Sequence, residues 1–235
     1  TGDMKPYSQM LQEANEELRK LNLSKGQLIL GLKQTKKKSD RLAKELKKAN
    51  DQLRAAALRD GLTSLYNHAY FQDILPTEIS RARRYNRIIS LIILDIDHFK
   101  TVNDTYGYII GDRVLQKIAR QARKSIRRAD IASRCGGEKF AFILPETNLK
   151  DAVCMAERLR NDIEELRLSS DRGIDFGVTV SAGVATFDPS QGNTMSAVEL
   201  IEKADHGLYL SKKLGRNRVS VIKEAVDHLP APEHG

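Results

Sequence analysis

Starting from Tyr7, apolar residues recur in alternating steps of three and four: Leu11, Ala14, Leu18, Leu21, Leu28, Leu32, Leu42, Leu46, Ala49, Leu53 and Ala56. That spacing predicts one long amphipathic helix with a coiled-coil seam. Lys25, Thr35 and Ser39 fall on the same seam and make its centre polar. Gly26 and Gly31 each cost a helix interior up to about 1 kcal/mol, so the centre is expected to be a hinge or register switch. Residues 7 to 58, if helical, would span roughly 75 Å. A parallel homodimer is the simplest cover for such a seam, because the chain offers no second long helix.

Beyond residue 58 the pattern alternates helix and strand. Helices are predicted over Ala69–Asn86, Gly111–Ile126, Leu149–Leu166 and Ala197–Lys213. Strands are predicted over Ile88–Leu94, Asp130–Ser133, Phe140–Leu144, Val178–Thr186 and Val219–Ile222. Ile88–Leu94 is the continuous apolar run of a strand covered on both faces. The expected organisation is a helical stalk at 1–58, an α+β domain at 59–224 and a tail at 225–235. Pro230 and Pro232 give that tail no pattern for fixed structure.

Two strand ends carry the candidate chemistry. The Ile88–Leu94 run stops at Asp95-Ile96-Asp97, and the next apolar strand follows Gly136-Gly137-Glu138-Lys139. Adjacent glycines admit positive φ and let bare amides approach a ligand, although a Gly-Gly hairpin also does nothing more than turn the chain. Asp95, Asp97 and Glu138 together could hold a hard divalent cation through oxygen, and a nucleotide is the commonest reason to hold one.

Composition narrows the class. The net charge is +8, with much of the excess between Lys33 and Arg54. Those lysines alternate with leucines and have no aromatics on which bases could stack. They read as a solvated helix face rather than a nucleic-acid or acidic-membrane patch, and no nucleic-acid partner is expected. Two cysteines, Cys135 and Cys154, lack metal-ligand spacing and are expected to be reduced thiols. No apolar run approaches the roughly 20 residues of a membrane span. A soluble, cytoplasmic protein is expected, with any membrane or sensor region lying upstream.

Several separated motifs resemble, in order and spacing, one family. They are Asp60-Gly61-Leu62-Thr63-Ser64-Leu65-Tyr66-Asn67, Asp95-Ile96-Asp97-His98-Phe99-Lys100-Thr101-Val102-Asn103-Asp104 and Gly111-Asp112. The glycine turn, Asp205-His206-Gly207-Leu208-Tyr209 and Lys212-Lys213-Leu214-Gly215-Arg216-Asn217 complete the set. Together they make roughly residues 60 to 222 similar to the GGDEF-domain diguanylate cyclases of bacteria. The resemblance implies a ferredoxin-like palm after the coiled-coil helix, with a mostly antiparallel sheet carrying helices on one face. It implies condensation of two GTP into cyclic di-GMP and two pyrophosphates across a homodimer, under an upstream sensor or receiver domain.

The resemblance also implies roles. Asp95, the Ile96 carbonyl and Glu138 would hold two Mg²⁺ or Mn²⁺ ions per half-site, with Glu138 as general base. Asn103 and Asp112 would read guanine, whose N1 and N2 donate hydrogens. Lys100, Lys212 and Arg216 would contact phosphates, and the Gly136 and Gly137 amides the nucleotide. Arg127, Asp130 and Arg158 match an inhibitory product-binding site of the Arg-x-x-Asp type. Arg134 has two readings, a structural ion pair or a ligand contact. The main departure is Lys139, an ammonium where the family usually has a second acid. It opens the alternative of a catalytically weak domain that binds GTP or cyclic di-GMP and signals without chemistry.

Overall fold

The computed structural model describes residues 4–170, 173–192 and 194–222. The 225–235 tail, for which no fixed structure is expected, lies outside them. The chain divides into two units, Thr1–Ala55 and Ala56–Gly235.

The first unit belongs to α1 (Met4–Leu58), which runs unbroken through Gly26 and Gly31. The expected central hinge is thus not an interruption of the helix. Thr35, one of the polar seam residues, satisfies its hydroxyl on the preceding turn, donating to Gly31 O at 2.9 Å. The seam leucines at 11, 18, 21, 28, 32, 42 and 46 are 55% to 70% exposed in the single chain. A polar helix of this length draws little stability from its own propensity, so this stripe is the part of the sequence that asks for a partner.

The second unit contains α2 (His68–Tyr85), β1 (Ile89–Ile96), α3 (Phe99–Tyr106), α4 (Tyr108–Ser125), β2 (Ile131–Gly136) and β3 (Lys139–Pro145). After them come α5 (Leu149–Glu164), β4 (Leu168–Ser169), β5 (Asp175–Phe176), β6 (Val180–Phe187), α6 (Ala197–Lys213) and β7 (Val219–Val221). Five strands form one sheet in the order β2-β3-β1-β6-β7. Its pairs are antiparallel except β6 with β7.

Every residue of β1 is buried, because the strand is central and apolar at both parities. Ile92, Leu94 and Ile96 pack with Ile118 of α4 and Leu159 of α5. Ile89, Leu91 and Ile93 pack with Leu75 of α2 and Leu208 of α6. Helices therefore cover both faces of the sheet, which corrects the expectation of one face. Each face of β1 carries its own apolar set, and each set needs its own cover.

Close packing fixes α6 against β6. A Cβ on Gly183 would collide with the α6 backbone at Ala204 and Leu208, and one on Gly207 would come within 2.8 Å of Ser220 O. Only glycines permit this approach, and it sets the height of Asp205 and Lys212 over the sheet. The helix starts from a capping box between Ser196 and Glu199.

Candidate active site

Asp95 is the last acid inside β1 and only 3% exposed. In the ladders it stands opposite Lys139 of β3 and Ser181 of β6. Odd positions of β1 face α6, so Asp95 meets Lys212, whose Nζ lies 2.7 Å from Asp95 Oδ1. That oxygen is buried and accepts no hydrogen bond of good geometry; what it has is an ammonium pressed against it. Burial pushes the Asp95 carboxyl above its ordinary range, and the Lys212 ammonium pulls it back without cancelling the effect. A buried carboxylate oxygen set against an ammonium is one that a cation can occupy.

The main chain of Glu138 is drawn to the same strand end, with Ile96 N donating to Glu138 O at 3.4 Å. Among the described residues no three His, Cys, Asp or Glu side chains converge into a self-sufficient metal cage. Two carboxylates and a carbonyl would leave the other coordination positions to phosphate oxygens and water, as nucleotide-bound Mg²⁺ prefers.

Asp97, grouped with the candidate metal ligands by sequence, has a different task. It is 4% exposed and accepts from Ser181 Oγ at 2.7 Å, Thr179 Oγ1 at 2.8 Å and Asn217 N at 3.0 Å. Its carboxylate is consumed in holding β1, β6 and the α6–β7 loop together.

The glycine turn has φ +123° at Gly136 and +51° at Gly137, conformations that a side chain would strain. Arg134 holds its shape by donating from Nε at 3.0 Å and Nη2 at 2.8 Å to Gly137 O. The same guanidinium reaches Asp60 Oδ2 at 3.2 Å. Arg134 is thus a structural latch between the turn and the Asp60–Asn67 motif. Burial raises the Asp60 carboxyl, but hydrogen bonds from Thr63 and the charge of Arg134 outweigh it and hold it below its usual range. Beside the turn, burial and the Asp205 charge push the Cys135 thiol up to about 12.

Asn103 and Asp112 come from α3 and α4. Gly111 joins them: a Cβ there would collide with Asn103 Oδ1 and stand 3.3 Å from Phe99 Cζ. The glycine lets the Asn103 amide lie against the first turn of α4, next to exposed Asp112. Lys100 is exposed in the first turn of α3, a helix whose left-handed N-cap, His98, supplies no side-chain cap. Arg216 is exposed in the α6–β7 loop at φ +62°.

On the other end of β2, Arg127, Asp130 and Arg158 line one groove together with Ser125, Thr147 and Met155. Asp130 Oδ2 accepts from Arg127 N at 2.7 Å, and Arg158 Nη2 donates to Ser125 O at 2.9 Å. Burial raises the Asp130 carboxyl despite the opposing Arg127 amide and charge.

Three residues of the site region have no role in the sequence reading. Asp205 pairs with Lys139, its Oδ1 lying 3.4 Å from Lys139 Nζ. Asn217 and Arg160 join α5 to the α6–β7 loop through Arg160 Nη1 to Asn217 Oδ1 at 2.8 Å. Asp205 and Asn217 lay inside recognised motifs and so were signalled, whereas Arg160 carried no signal beyond a charged helix position.

A sheet of this order, with an acid at the end of its central strand and a Gly-Gly turn beside it, defines a nucleotide-cyclase-like palm. Residues 57–218 match the family described as "Diguanylate cyclase, GGDEF domain", and the chain belongs to that family. It is 35% identical over 179 residues to the probable diguanylate cyclase DgcC of Escherichia coli K12, covering 76% of this chain and 47% of DgcC. It is 39% identical over 168 residues to diguanylate cyclase DgcP of Pseudomonas aeruginosa, covering 72% of this chain and 24% of DgcP. The chain thus spans less than half the length of these curated relatives. The crystal structure of the coiled coil and GGDEF domain of DgcB from Caulobacter crescentus, in complex with c-di-GMP, is similar at 33% identity and a TM-score of 0.75. The match covers 81% of this chain and 99% of that one. Among the described residues no helix is long and apolar enough to cross a membrane.

Proposed function

We propose that this protein is a diguanylate cyclase, condensing two GTP into cyclic di-GMP and two pyrophosphates across a homodimer. The observation that carries the reading is the buried Asp95 carboxylate, whose Oδ1 lies against the Lys212 ammonium at the strand end shared with the Gly-Gly turn bearing Glu138. Family membership and the relatives named diguanylate cyclase support it.

Each 3′-oxygen attacks the α-phosphorus of the opposite nucleotide, the bond from that phosphorus to pyrophosphate breaks, and Glu138 takes the hydroxyl proton. Asp95, Glu138 and the Ile96 carbonyl would hold Mg²⁺ or Mn²⁺, two ions per half-site, which supply charge neutralisation on the phosphates and a more acidic 3′-hydroxyl. Lys100, Lys212 and Arg216 bind phosphate oxygens, and the Gly136 and Gly137 amides approach the nucleotide. Asp112 accepts from guanine N1 and N2, and the Asn103 amide completes the edge. The half-sites are brought into register by pairing of α1 along its exposed leucine seam, which makes a bimolecular condensation effectively intramolecular. Cyclic di-GMP binds back to Arg127, Asp130 and Arg158 and inhibits, while a sensor or receiver domain upstream sets the stalk register.

Turnover of GTP with Mg²⁺ by the dimer tests the reading. Glu138→Gln is expected to lower kcat at least about a hundredfold, the scale of a lost general base, with nucleotide binding retained. An unchanged kcat would contradict it. Arg127→Ala is expected to abolish inhibition by added cyclic di-GMP and leave initial rates intact. One observation favours a second reading, a binding and signalling module: Lys139 puts an ammonium on the strand position paired with Asp95.

A further inference from the structure

Arg216 sits in a stretch of three successive left-handed residues, Gly215 (φ +108°), Arg216 (φ +62°) and Asn217 (φ +46°). A side-chain-bearing residue holds such a conformation only where its surroundings over-determine it. Here the surroundings converge on Asn217. Its backbone N–H donates to Asp97 Oδ2 at 3.0 Å. Its side-chain oxygen accepts from Arg160 Nη1 at 2.8 Å, and its amide nitrogen donates to Glu164 Oε1 at 2.9 Å. Arg160 is itself fixed, to Glu157 Oε2 at 2.8 Å and Glu164 Oε2 at 2.7 Å, and its side chain is only 14% exposed. Asp97 is fixed by Ser181 and Thr179. Asn217 is thus gripped from two sides, by a buried carboxylate at the end of β1 and by a pre-organised arginine on α5.

We infer that Asp97, Asn217 and Arg160 form a clamp that positions Arg216 for substrate phosphate, making them positioning residues for GTP. The inference rests on the reading of Arg216 as a phosphate ligand. None of the three needs to touch the nucleotide. The clamp sets the backbone from which the Arg216 side chain projects, so its loss should weaken ground-state and transition-state binding alike and appear in KM rather than kcat.

The test uses the full chain and a GTP analogue with an α,β-methylene bridge, in Mg²⁺, by calorimetry. Arg160→Met removes one arm of the clamp without approaching the phosphates. It is expected to weaken the analogue about tenfold, the scale of one charge-assisted hydrogen bond, and to raise KM by the same factor at near-constant kcat. In an Arg216→Ala background the same change is expected to have no further effect, because the group it positions is gone. Asn217→Gly, which keeps the left-handed backbone and loses both side-chain bonds, is expected to behave like Arg160→Met and covers the case in which that variant fails to fold. Equal weakening in both backgrounds, or none in either, overturns the inference. Amide exchange at residues 215–218 separates this from the reading beneath it. If the wild-type chain does not bind the analogue, the GTP reading fails. The clamp then stands if Arg160→Met speeds exchange in that loop about tenfold, and falls if exchange is unchanged.

Discussion

Lys139 stands directly across the β1–β3 ladder from Asp95, and its ammonium pairs with Asp205 Oδ1 of α6 at 3.4 Å. The family position that usually carries an acid here carries a cation with its own counter-ion. Both partners are about half exposed, so the pair is worth little as a stability element. Its consequence is electrostatic, because Lys139 is, after Lys212, the second cation acting on Asp95, and Asp205 partly neutralises it.

Asp205→Asn removes that counter-ion and leaves the Lys139 charge to act on Asp95 and Glu138. The Mg²⁺ concentration for half-maximal turnover is expected to rise about threefold, the scale of one solvent-screened charge. Adding Lys139→Gln to Asp205→Asn should return it to the wild-type value. A Mg²⁺ dependence that ignores both changes would mean that Lys139 has no influence on the ions.

Gly111→Ala places a methyl where the Asn103 amide lies. The fold should survive, since Asn103 can swing towards solvent, but its amide can no longer lie beside Asp112. KM for GTP is expected to rise about tenfold, as for a lost pair of hydrogen bonds to the base. An unaltered KM would show that Asn103 does not read guanine.

The Cys135 thiol, pushed from its ordinary 9.0 to about 12 by burial, gives a pH dependence of known sign. Above pH 9 the thiol of the unfolded chain ionises while the folded one keeps its proton. The contribution of this group to stability is complete below pH 9 and declines as pH rises towards 12. Urea midpoints measured from pH 8 to 10.5 should therefore fall more steeply for the wild type than for Cys135→Ala. Thiol-reactive dyes at pH 8 should label exposed Cys154 and spare Cys135.

The long elements were readable because their periodicity extends over many residues, as in α4, α5 and α6. α3 was not. It has eight residues, buries only Phe99 and Val102, and begins at a left-handed histidine without a capping bond, so no start signal or sustained period marks it. The strands β4 and β5 have two residues each, too few for a pattern. Burial of β1 on both faces was legible in its unbroken apolar run, and the one-face expectation set that signal aside.

At the site, Asp95 and Asp97 are chemically identical and two positions apart. What separates a carboxylate set against a lysine from one saturated with hydrogen bonds is Thr179, Ser181 and Asn217, which lie 82, 84 and 120 positions from Asp97 and reach it only after folding. The same holds for Asp205, whose partner Lys139 is 66 positions distant.

Cyclase activity is tested most directly by product formation from the unaltered chain beside Lys139→Glu, both shown to be dimers, incubated with GTP and Mg²⁺. If Asp205 compensates for Lys139, the unaltered chain should release cyclic di-GMP and pyrophosphate in a ratio of one to two, at a rate within about tenfold of the variant. No cyclic di-GMP from the unaltered dimer, with product restored in Lys139→Glu, would contradict the cyclase account.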